Sequence, residues 1–296
     1  MQEAVKNIQI EPIRSLSSPT KTVDLLRLDL LHPIISGNKW FKLRYYLADA
    51  QNQNKKTIAS FGGAYSNHLV AMAYSAKMLG LNSVGIIRGE APKTLSPTLT
   101  EAISYGMQPI FVSRLEYAQK ELIQTSYNNK DWYWINEGGY GIKGALGAAT
   151  ILTTIDADSY TNIICATGTG TMMAGLIMAA SPKQKVTGIS VLKNHFSIQN
   201  EVEALLKEED KNKQYEIIHG FDFGGYVKHP MELIQFMNEQ WQQNHIPTDF
   251  VYTGKLLYGI TQLMNENYFG TTARILVIHS GGIQGNRSLS TGQLIF

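Results

Sequence analysis

The 296-residue sequence predicts an α/β protein built on two open parallel sheets, arranged as two domains. Two observations support this fold class. Short apolar runs of strand length alternate with helix-length stretches from residue 57 to residue 192. The hydrophobic content of 44% over this length is sufficient for a large core, divided between two lobes.

The first half of the chain supplies one helix and then a regular alternation. A helix is predicted over residues 40–50, after Gly37 and Asn38 end a proline-containing extended run at residues 31–35. Gly80 and Gly106 follow two later helices, where glycine is favoured because it adopts the left-handed conformation of a helix end. The alternating elements are strands at 57–61, 83–87, 109–112 and 132–135, and helices at 67–79, 97–105 and 115–125.

The second half continues this pattern and ends in three helices and a strand. The predicted elements are helix 144–155, strand 162–166, helix 172–180, strand 185–192, helices 201–210, 230–243 and 254–267, and strand 274–278. Glycines cluster at residues 138–141 and favour a domain boundary there, with another near residue 42. Residues 1–42 with 141–296 are therefore predicted as the large domain, and residues 43–140 as the small one.

Composition narrows the possible function. A net charge of +2 without long runs of like charge excludes an extended nucleic-acid surface. The single cysteine, Cys165, excludes an internal disulfide and suits the cytoplasm, and residues 1–11 lack the apolar segment of a secretory signal. Residues 159–182 carry no charged side chain, but the small residues at 167–171 interrupt any spanning helix. No spacing typical of a metal site is present.

Lys39 is the first candidate functional residue. It stands at a helix entrance, where the positive end of the helix dipole disfavours an ammonium and burial would disfavour it further. A neutral lysine amine is a nucleophile that forms Schiff bases with carbonyl compounds. Considered alone, the position also suits an ordinary solvated lysine.

Polar loops follow four predicted strands, and ligands of open parallel sheets bind at the carboxyl ends of strands. The loop from Gly62 to His68 opens a helix, whose free N–H groups suit a carboxylate or a phosphate. The loop at residues 167–171 joins glycines to three threonine hydroxyls and suits a phosphate monoester. The other two loops are residues 252–255 and 279–282. Each loop by itself is also compatible with simple capping or packing.

The order of these motifs is more specific than any one of them. The sequence contains Gly37-Asn38-Lys39, Gly62-Gly63 followed by Ser66-Asn67-His68, Thr167-Gly168-Thr169-Gly170-Thr171, Tyr252-Thr253-Gly254-Lys255 and His279-Ser280-Gly281-Gly282. Over residues 26–282 it resembles the 1-aminocyclopropane-1-carboxylate (ACC) deaminase and D-cysteine desulfhydrase family. The resemblance implies the tryptophan-synthase-β-like fold (fold type II), pyridoxal 5'-phosphate (PLP) as cofactor, a small amino-acid substrate, a homodimer, and a lyase or hydrolase.

The resemblance also implies roles for individual residues. Lys39 matches the lysine that bonds to PLP, Asn67 the contact to the ring hydroxyl, and residues 167–171 the phosphate loop. The catalytic set is Lys39, Ser66, Tyr252 and Tyr226. The substrate-binding set is Ser66, Asn67, His68 and Tyr226. The cofactor-binding set is Lys39, Asn67, Thr167, Gly168, Thr169, Gly170, Thr171, Thr253 and Ser280.

Two positions separate the branches of the family. ACC deaminases resemble Tyr-Glu-Gly-Lys at the tyrosine motif, with a carboxylate beside the pyridine nitrogen, whereas this chain has Thr253 and Ser280. Hydroxyls there favour β-elimination from D-cysteine over opening of the ACC ring. ACC deamination, dehydration or racemisation of another D-amino acid, and a non-catalytic phosphate- or nucleotide-binding role stay open. Relative to typical members the chain is shortened between residues 181 and 249.

Overall fold

The computed structural model describes residues 8–127 and 129–296. Residues 1–7 lie outside the described residues. They include most of the N-terminal segment that was expected to lack a secretory signal, and they are part of the predicted large domain. No helix within the described ranges is long and apolar enough to cross a membrane.

Ten strands form two sheets in the described part of the chain. One sheet has six strands in the order β1-β2-β10-β7-β8-β9, and the other has four in the order β5-β4-β3-β6. Every pairing is parallel except that of β1 with β2. The strands are β1 (Ile10–Pro12), β2 (Thr22–Arg27), β3 (Thr57–Gly62), β4 (Asn82–Arg88), β5 (Met107–Val112), β6 (Trp132–Ile135), β7 (Asn162–Thr167), β8 (Lys185–Ser190), β9 (Gln214–Ile218) and β10 (Arg274–His279).

The helices connect these strands and cover the sheets. They are α1 (Asn38–Asn52), α2 (Asn67–Met78), α3 (Pro97–Ser104), α4 (Arg114–Tyr117), α5 (Lys120–Ser126), α6 (Ile142–Ala149), α7 (Thr171–Ala179), α8 (Ile198–Glu203), α9 (Glu208–Lys211), α10 (Met231–Asn244) and α11 (Thr253–Asn265). The predicted α/β class with open parallel sheets is confirmed. Strands of the smaller sheet all lie within residues 57–135, and the predicted boundary near residue 42 falls inside α1. The proposed division into two domains stays a prediction.

Several predicted elements differ from the structure. The helix predicted over 115–125 is two helices, α4 and α5, because Gln119 between them has non-helical backbone angles. The helix predicted over 144–155 ends at Ala149, before β-branched residues with low helix propensity. The helix predicted over 201–210 is likewise divided into α8 and α9.

Three strands and one turn were not predicted from the sequence. Strands β1, β2 and β9 are short and are held in the larger sheet by their neighbours: β1 pairs with β2, β2 with β10, and β9 with β8. The run at residues 31–35 was predicted to be extended, but it is a turn. The His32 Nδ1 accepts hydrogen bonds from the backbone N–H groups of Ile34 (3.0 Å) and Ile35 (3.1 Å).

Small residues bring the central helices close together. A Cβ atom on Gly147 of α6 would lie 2.1 Å from the Phe41 carbonyl oxygen of α1, and one on Gly175 of α7 would lie 2.4 Å from the Ala145 carbonyl oxygen. Only glycine permits such close backbone approach. This packing fixes the start of α1, and with it Lys39, beside the loop that begins α7.

Candidate active site

One cavity of about 840 Å³ lies where the carboxyl ends of strands from both sheets meet. It is bordered by residues that follow β3, β7 and β10, as expected for an open parallel sheet. Most predicted site residues line it. They are Lys39, Ser66, Asn67, His68, Thr167, Gly168, Thr169, Gly170, Tyr226, Tyr252 and Ser280. Thr171 and Thr253 lie beside this cavity without lining it.

Lys39 stands at the first turn of α1 and faces the cavity. Its Nζ donates a hydrogen bond to the Asn38 Oδ1 at 2.7 Å. The Asn38 N–H in turn donates to the Ser280 carbonyl at 3.1 Å, so the loop after β10 anchors this turn. Burial lowers the pKa of Lys39 to about 8, and the charge of Asp249 opposes the shift in part. A substantial neutral fraction of this amine is therefore available in mildly alkaline solution.

The lowered pKa of Lys39 predicts a pH dependence for cofactor loading. The reactive neutral amine increases as pH rises through about 8. The second-order rate of PLP attachment to the cofactor-free protein should rise about tenfold from pH 7 to pH 9 and then level off. Stopped-flow absorbance measures this rate. A small lysine derivative, measured in parallel, corrects for the ionisation of PLP itself. Parallel profiles for protein and derivative up to pH 10 would contradict the prediction.

The loop at residues 167–171 forms a polar cradle at the start of α7. The hydroxyls of Thr169 and Thr171 lie 3.0 Å apart, and Gly170 occupies the left-handed region with a φ of 71°. The first N–H groups of a nine-residue helix lack partners within that helix, so this end favours an anion. Thr171 is fully buried and supports the cradle from behind through Thr169.

Lys42 was given no role in the sequence interpretation. Its buried Nζ donates to the Thr169 hydroxyl at 3.4 Å, so it reaches the same cradle. Burial and the nearby Lys39 hold the pKa of Lys42 well below its usual value. A dianion bound in the cradle would favour the charged form of Lys42 and would accept a hydrogen bond from it. The spacing of three residues between the two lysines on one helix could have indicated this pairing.

Replacing Lys42 with methionine should weaken the binding of PLP specifically through its phosphate. The loss of one hydrogen bond to a charged group should lower PLP affinity about tenfold to a hundredfold. Pyridoxal, which has no phosphate, is the internal control, and its affinity should change less than about threefold because the interaction lost is with phosphate alone. Equilibrium dialysis of both compounds gives the two ratios. An equal loss for both would assign Lys42 a different role.

The loop after β3 presents both backbone and side-chain groups to the cavity. The Ser66 hydroxyl accepts from the Leu69 N–H and caps α2, which leaves the first N–H groups of the helix toward the cavity. Asn67 Nδ2 donates to the Gly282 carbonyl at 3.3 Å, while its buried Oδ1 has no partner among the described residues. Asn67 thus retains hydrogen-bonding capacity for a ligand.

The His68 side chain is buried at the edge of the cavity. Its Nε2 lies 2.8 Å from the Ser60 hydroxyl, and its Nδ1 has no partner among the described residues. Burial, followed by the charges of Lys39 and Lys42, holds the pKa of His68 well below its usual value. The ring is therefore neutral, so a contribution to carboxylate binding would come from the helix start rather than from an imidazolium.

Two tyrosines that line the cavity pack against each other. The rings of Tyr226 and Tyr252 lie 5.9 Å apart at 77°, and the Tyr252 hydroxyl donates to the Tyr226 hydroxyl at 3.4 Å. Burial raises the pKa of Tyr226 and raises that of Tyr252 well above its usual value. Both phenols therefore stay protonated at neutral pH and can donate protons or hydrogen bonds. A Cβ atom on Gly168 would lie 3.0 Å from the Tyr252 ring, which shows that this ring packs against the loop at residues 167–171.

The Thr253 hydroxyl is engaged away from the cavity. It donates to the Asp249 Oδ1 at 2.6 Å and accepts from the Asp249 N–H at 2.7 Å. The fully buried Asp249 also accepts from the N–H groups of Val251, Tyr252 and Thr253 at 2.8–2.9 Å. Sequence interpretation missed Asp249, although an acidic residue just before a helix is a recognised capping signal.

These features define a class of enzyme. A parallel α/β fold holds a buried lysine amine, an anion cradle, a helix start and two phenols around one cavity. Residues 1–281 match the family described as "Pyridoxal-phosphate dependent enzyme", and the chain belongs to this family. It is therefore a PLP-dependent enzyme.

Comparison with individual proteins narrows the relationship. The "Putative 1-aminocyclopropane-1-carboxylate deaminase" of Pyrococcus horikoshii is 29% identical over 279 residues, which cover 89% of this chain and 85% of that protein. The "Bifunctional D-cysteine desulfhydrase/1-aminocyclopropane-1-carboxylate deaminase, mitochondrial" of Arabidopsis thaliana is 27% identical over 282 residues, which cover 85% of this chain and 70% of that protein.

Solved structures confirm the fold. An "ACC deaminase homologue" superposes with a TM-score of 0.83 at 27% identity, covering 95% of this chain and 90% of that one. A hydrogen sulfide-producing enzyme from Fusobacterium nucleatum superposes with a TM-score of 0.70 at 12% identity, covering 97% and 99%. At this lower identity the second likeness concerns the fold alone.

The cavity suits PLP on its own geometry. The unpartnered Asn67 Oδ1, the glycine-threonine cradle beside Lys42 and the neutral fraction of Lys39 match a hydroxyl, a phosphate and an aldehyde respectively. When bound, PLP withdraws electrons from the substrate and stabilises a carbanion at its α carbon. The protein's own task is to orient the substrate and to place proton donors and acceptors around it.

Proposed function

We propose that the chain catalyses β-elimination of D-cysteine to pyruvate, ammonia and sulfide. The observation that carries this proposal is that the carboxylates at or behind the cavity wall are already engaged by other groups. The Asp249 carboxylate accepts four hydrogen bonds and does not line the cavity. Two carboxylates that do line it are paired, Glu137 with Lys120 and Glu201 with His195.

The polar group that Ser280 offers to the cavity is a hydroxyl. In the ACC deaminase branch a carboxylate is expected beside the pyridine nitrogen, where it holds a proton. A hydroxyl at this position does not keep the pyridine nitrogen protonated, so the ring of a bound cofactor would withdraw electrons less strongly. Elimination of a good leaving group such as sulfide demands less withdrawal than cleavage of a carbon–carbon bond. The Thr253 hydroxyl is not offered to the cavity, because it donates to the Asp249 carboxylate.

Each remaining site residue has a place in this proposal. The free N–H groups at the start of α2 hold the substrate carboxylate. The Lys39 amine removes the proton from the α carbon, and the Ser66 hydroxyl, which borders the same cavity, assists the transfer. The protonated phenols of Tyr226 and Tyr252 border the same cavity, and we infer that they protonate the departing sulfur.

ACC deamination is the second candidate function, and the relatives' names support it as well as they support the first. The remote alternative, a non-catalytic phosphate- or nucleotide-binding protein, is not retained, because the chain belongs to an enzyme family. The expectation of a hydrolase does not fit either. Elimination breaks the carbon–sulfur bond as the α proton is removed and sulfide departs. Water enters only afterwards, when the resulting aminoacrylate is hydrolysed to pyruvate and ammonia, so the bond-breaking step is that of a lyase.

A comparative turnover assay tests the proposal. Purified protein is incubated with D-cysteine, L-cysteine, D-serine and ACC, and pyruvate, sulfide and α-ketobutyrate are measured. Pyruvate and sulfide should be released from D-cysteine in equal amounts and much faster than from L-cysteine. The Lys39→Ala protein with added PLP corrects for the reaction of free cofactor with thiols. Turnover of ACC combined with no reaction of D-cysteine would reverse the assignment.

A homodimer in the cytoplasm completes the proposal. The homodimer is suggested by the family resemblance, and light scattering coupled to gel filtration measures it. One relative is named as mitochondrial, so the location of this chain needs its own measurement by fractionation.

A further inference from the structure

The loop between β9 and α10 carries Tyr226 in an unusual backbone conformation. Gly220, Phe223, Gly224 and Gly225 all have positive φ angles, of 100°, 52°, 89° and 135°. Phe223 is not glycine, so its left-handed conformation carries a cost that the surroundings must offset. Tyr226 is 37% exposed, and its hydroxyl meets that of Tyr252 only at 3.4 Å.

Lys255 contacts this loop from the first turn of α11. Its side chain is fully buried, and its Nζ donates to the carbonyl oxygens of Asp222 (2.8 Å), Gly225 (2.6 Å) and Tyr226 (3.5 Å). An ammonium has three donors, so three carbonyls satisfy it completely. Burial lowers the pKa of Lys255 to about 8, opposed by the charges of Asp222 and Asp249. At neutral pH it is still mainly the three-donor form.

The two tyrosines are thereby held by one element. Tyr252 immediately precedes α11, where Asp249 fixes its backbone N–H, and Lys255 follows three residues later. The upstream part of the loop has a separate anchor on the same helix, since the Phe223 ring packs 4.7 Å from that of Tyr258. In the downstream part, the carbonyls of Gly225 and Tyr226 accept hydrogen bonds from Lys255.

We propose that Lys255 is a positioning residue that holds Tyr226 against Tyr252 through its hydrogen bonds to the Tyr226 loop. Lys255 does not line the cavity, so its effect on the reaction passes through Tyr226. The catalytic part of this inference rests on the proposed function. The ordering of the loop does not, and it can be measured without any substrate.

Hydrogen exchange of the PLP-loaded enzyme tests the ordering. Four proteins are compared: the unmodified chain, Lys255→Met, Lys255→Gln and Lys228→Met. Lys228 is an exposed lysine of the same loop, which makes it the matched control. Amides of residues 222–228 should exchange at least about tenfold faster in Lys255→Met, because hydrogen bonds to a charged donor are lost. Lys255→Gln, which keeps an amide donor, should give an intermediate increase.

The pattern of exchange distinguishes positioning from general support. If Lys255 only positions the loop, the amides of β9 and of residues 257–265 exchange as slowly in Lys255→Met as in the unmodified chain. The Lys228→Met protein should then exchange like the unmodified chain throughout. Unchanged exchange in the loop, or faster exchange throughout the chain, would overturn the proposal. Should Lys255→Met fail to fold, Lys255→Gln alone decides the outcome by the same criterion.

A double-mutant cycle tests whether Lys255 acts through Tyr226. Lys255→Met is measured in the unmodified chain and in Tyr226→Ala, with whichever amino acid the enzyme converts. The expected result is a loss of kcat of about tenfold in the first background and less than about twofold in the second. Equal losses in both backgrounds would overturn it. If D-cysteine is not converted, the proposed function fails, while the exchange result still decides the role of Lys255.

Discussion

Replacing Lys39 with alanine is expected to abolish covalent retention of PLP and to lower turnover by at least about 10⁴-fold. The substitution removes the amine that is proposed both to bond to the cofactor aldehyde and to take up the α proton. Tests are the absorbance of the purified protein and the mass of the borohydride-reduced product. The reduced peptide should contain Lys39 in the unmodified chain and carry no cofactor in the variant.

Lys42 provides the matched control for this experiment. It is a buried lysine three residues further along the same helix, and it also lines the cavity. Lys42→Met should still give a reducible adduct at Lys39, with weaker cofactor binding. A Lys39→Ala protein that retains a reducible PLP adduct and unaltered turnover would show that another amine performs the reaction.

Replacing Gly37 with alanine is expected to destabilise the protein by about 4 kcal/mol or more, which is exceptional for a single methyl group. Gly37 has a φ of 65° and a ψ of −142°, close to a region that only glycine populates. A Cβ atom there would lie 1.8 Å from the Ser280 carbonyl oxygen. The backbone must move, and the Ser280 carbonyl that accepts from the Asn38 N–H moves with it. Cofactor retention should fall together with stability.

The Gly80→Ala variant is the control that separates the steric clash expected in Gly37→Ala from the strain of a positive φ angle. Gly80 has a φ of 69°, but a Cβ atom there would meet nothing within 4 Å. Its substitution should therefore cost only about 1–2 kcal/mol, the penalty of a left-handed alanine. Urea unfolding of both variants measures the difference. Similar losses for the two would mean that the loop after β10 adapts without strain.

The chemistry at the cavity was largely readable from the sequence because it is local. A lysine after a glycine-asparagine pair, or threonines between glycines after an apolar strand, carries its chemical character in adjacent residues. The order of these motifs identified the family resemblance, and the structure places the motifs around one cavity. The helices and central strands were likewise predictable, since their periodicity is a property of neighbouring residues.

Residues that act at long sequence distance were not readable in this way. Lys255 reaches carbonyls about thirty positions earlier in the chain, and nothing in the sequence near Lys255 indicates that contact. Asp249 was recognisable as a cap, but its capture of the Thr253 hydroxyl required the folded loop. Strands β2 and β9 form because neighbouring strands pair with them, which is a tertiary effect.

The sequence by itself indicated the α/β class and the PLP cofactor and predicted Lys39 as the attachment site, because each depends on short motifs and on local periodicity. Only the tertiary structure decided which side chains remain free to act. Burial lowers the pKa of Lys39, Thr253 is engaged with Asp249 while Ser280 faces the cavity, and Tyr226 meets Tyr252. The physical reason is that desolvation and hydrogen-bond partners depend on groups brought together from distant parts of the chain.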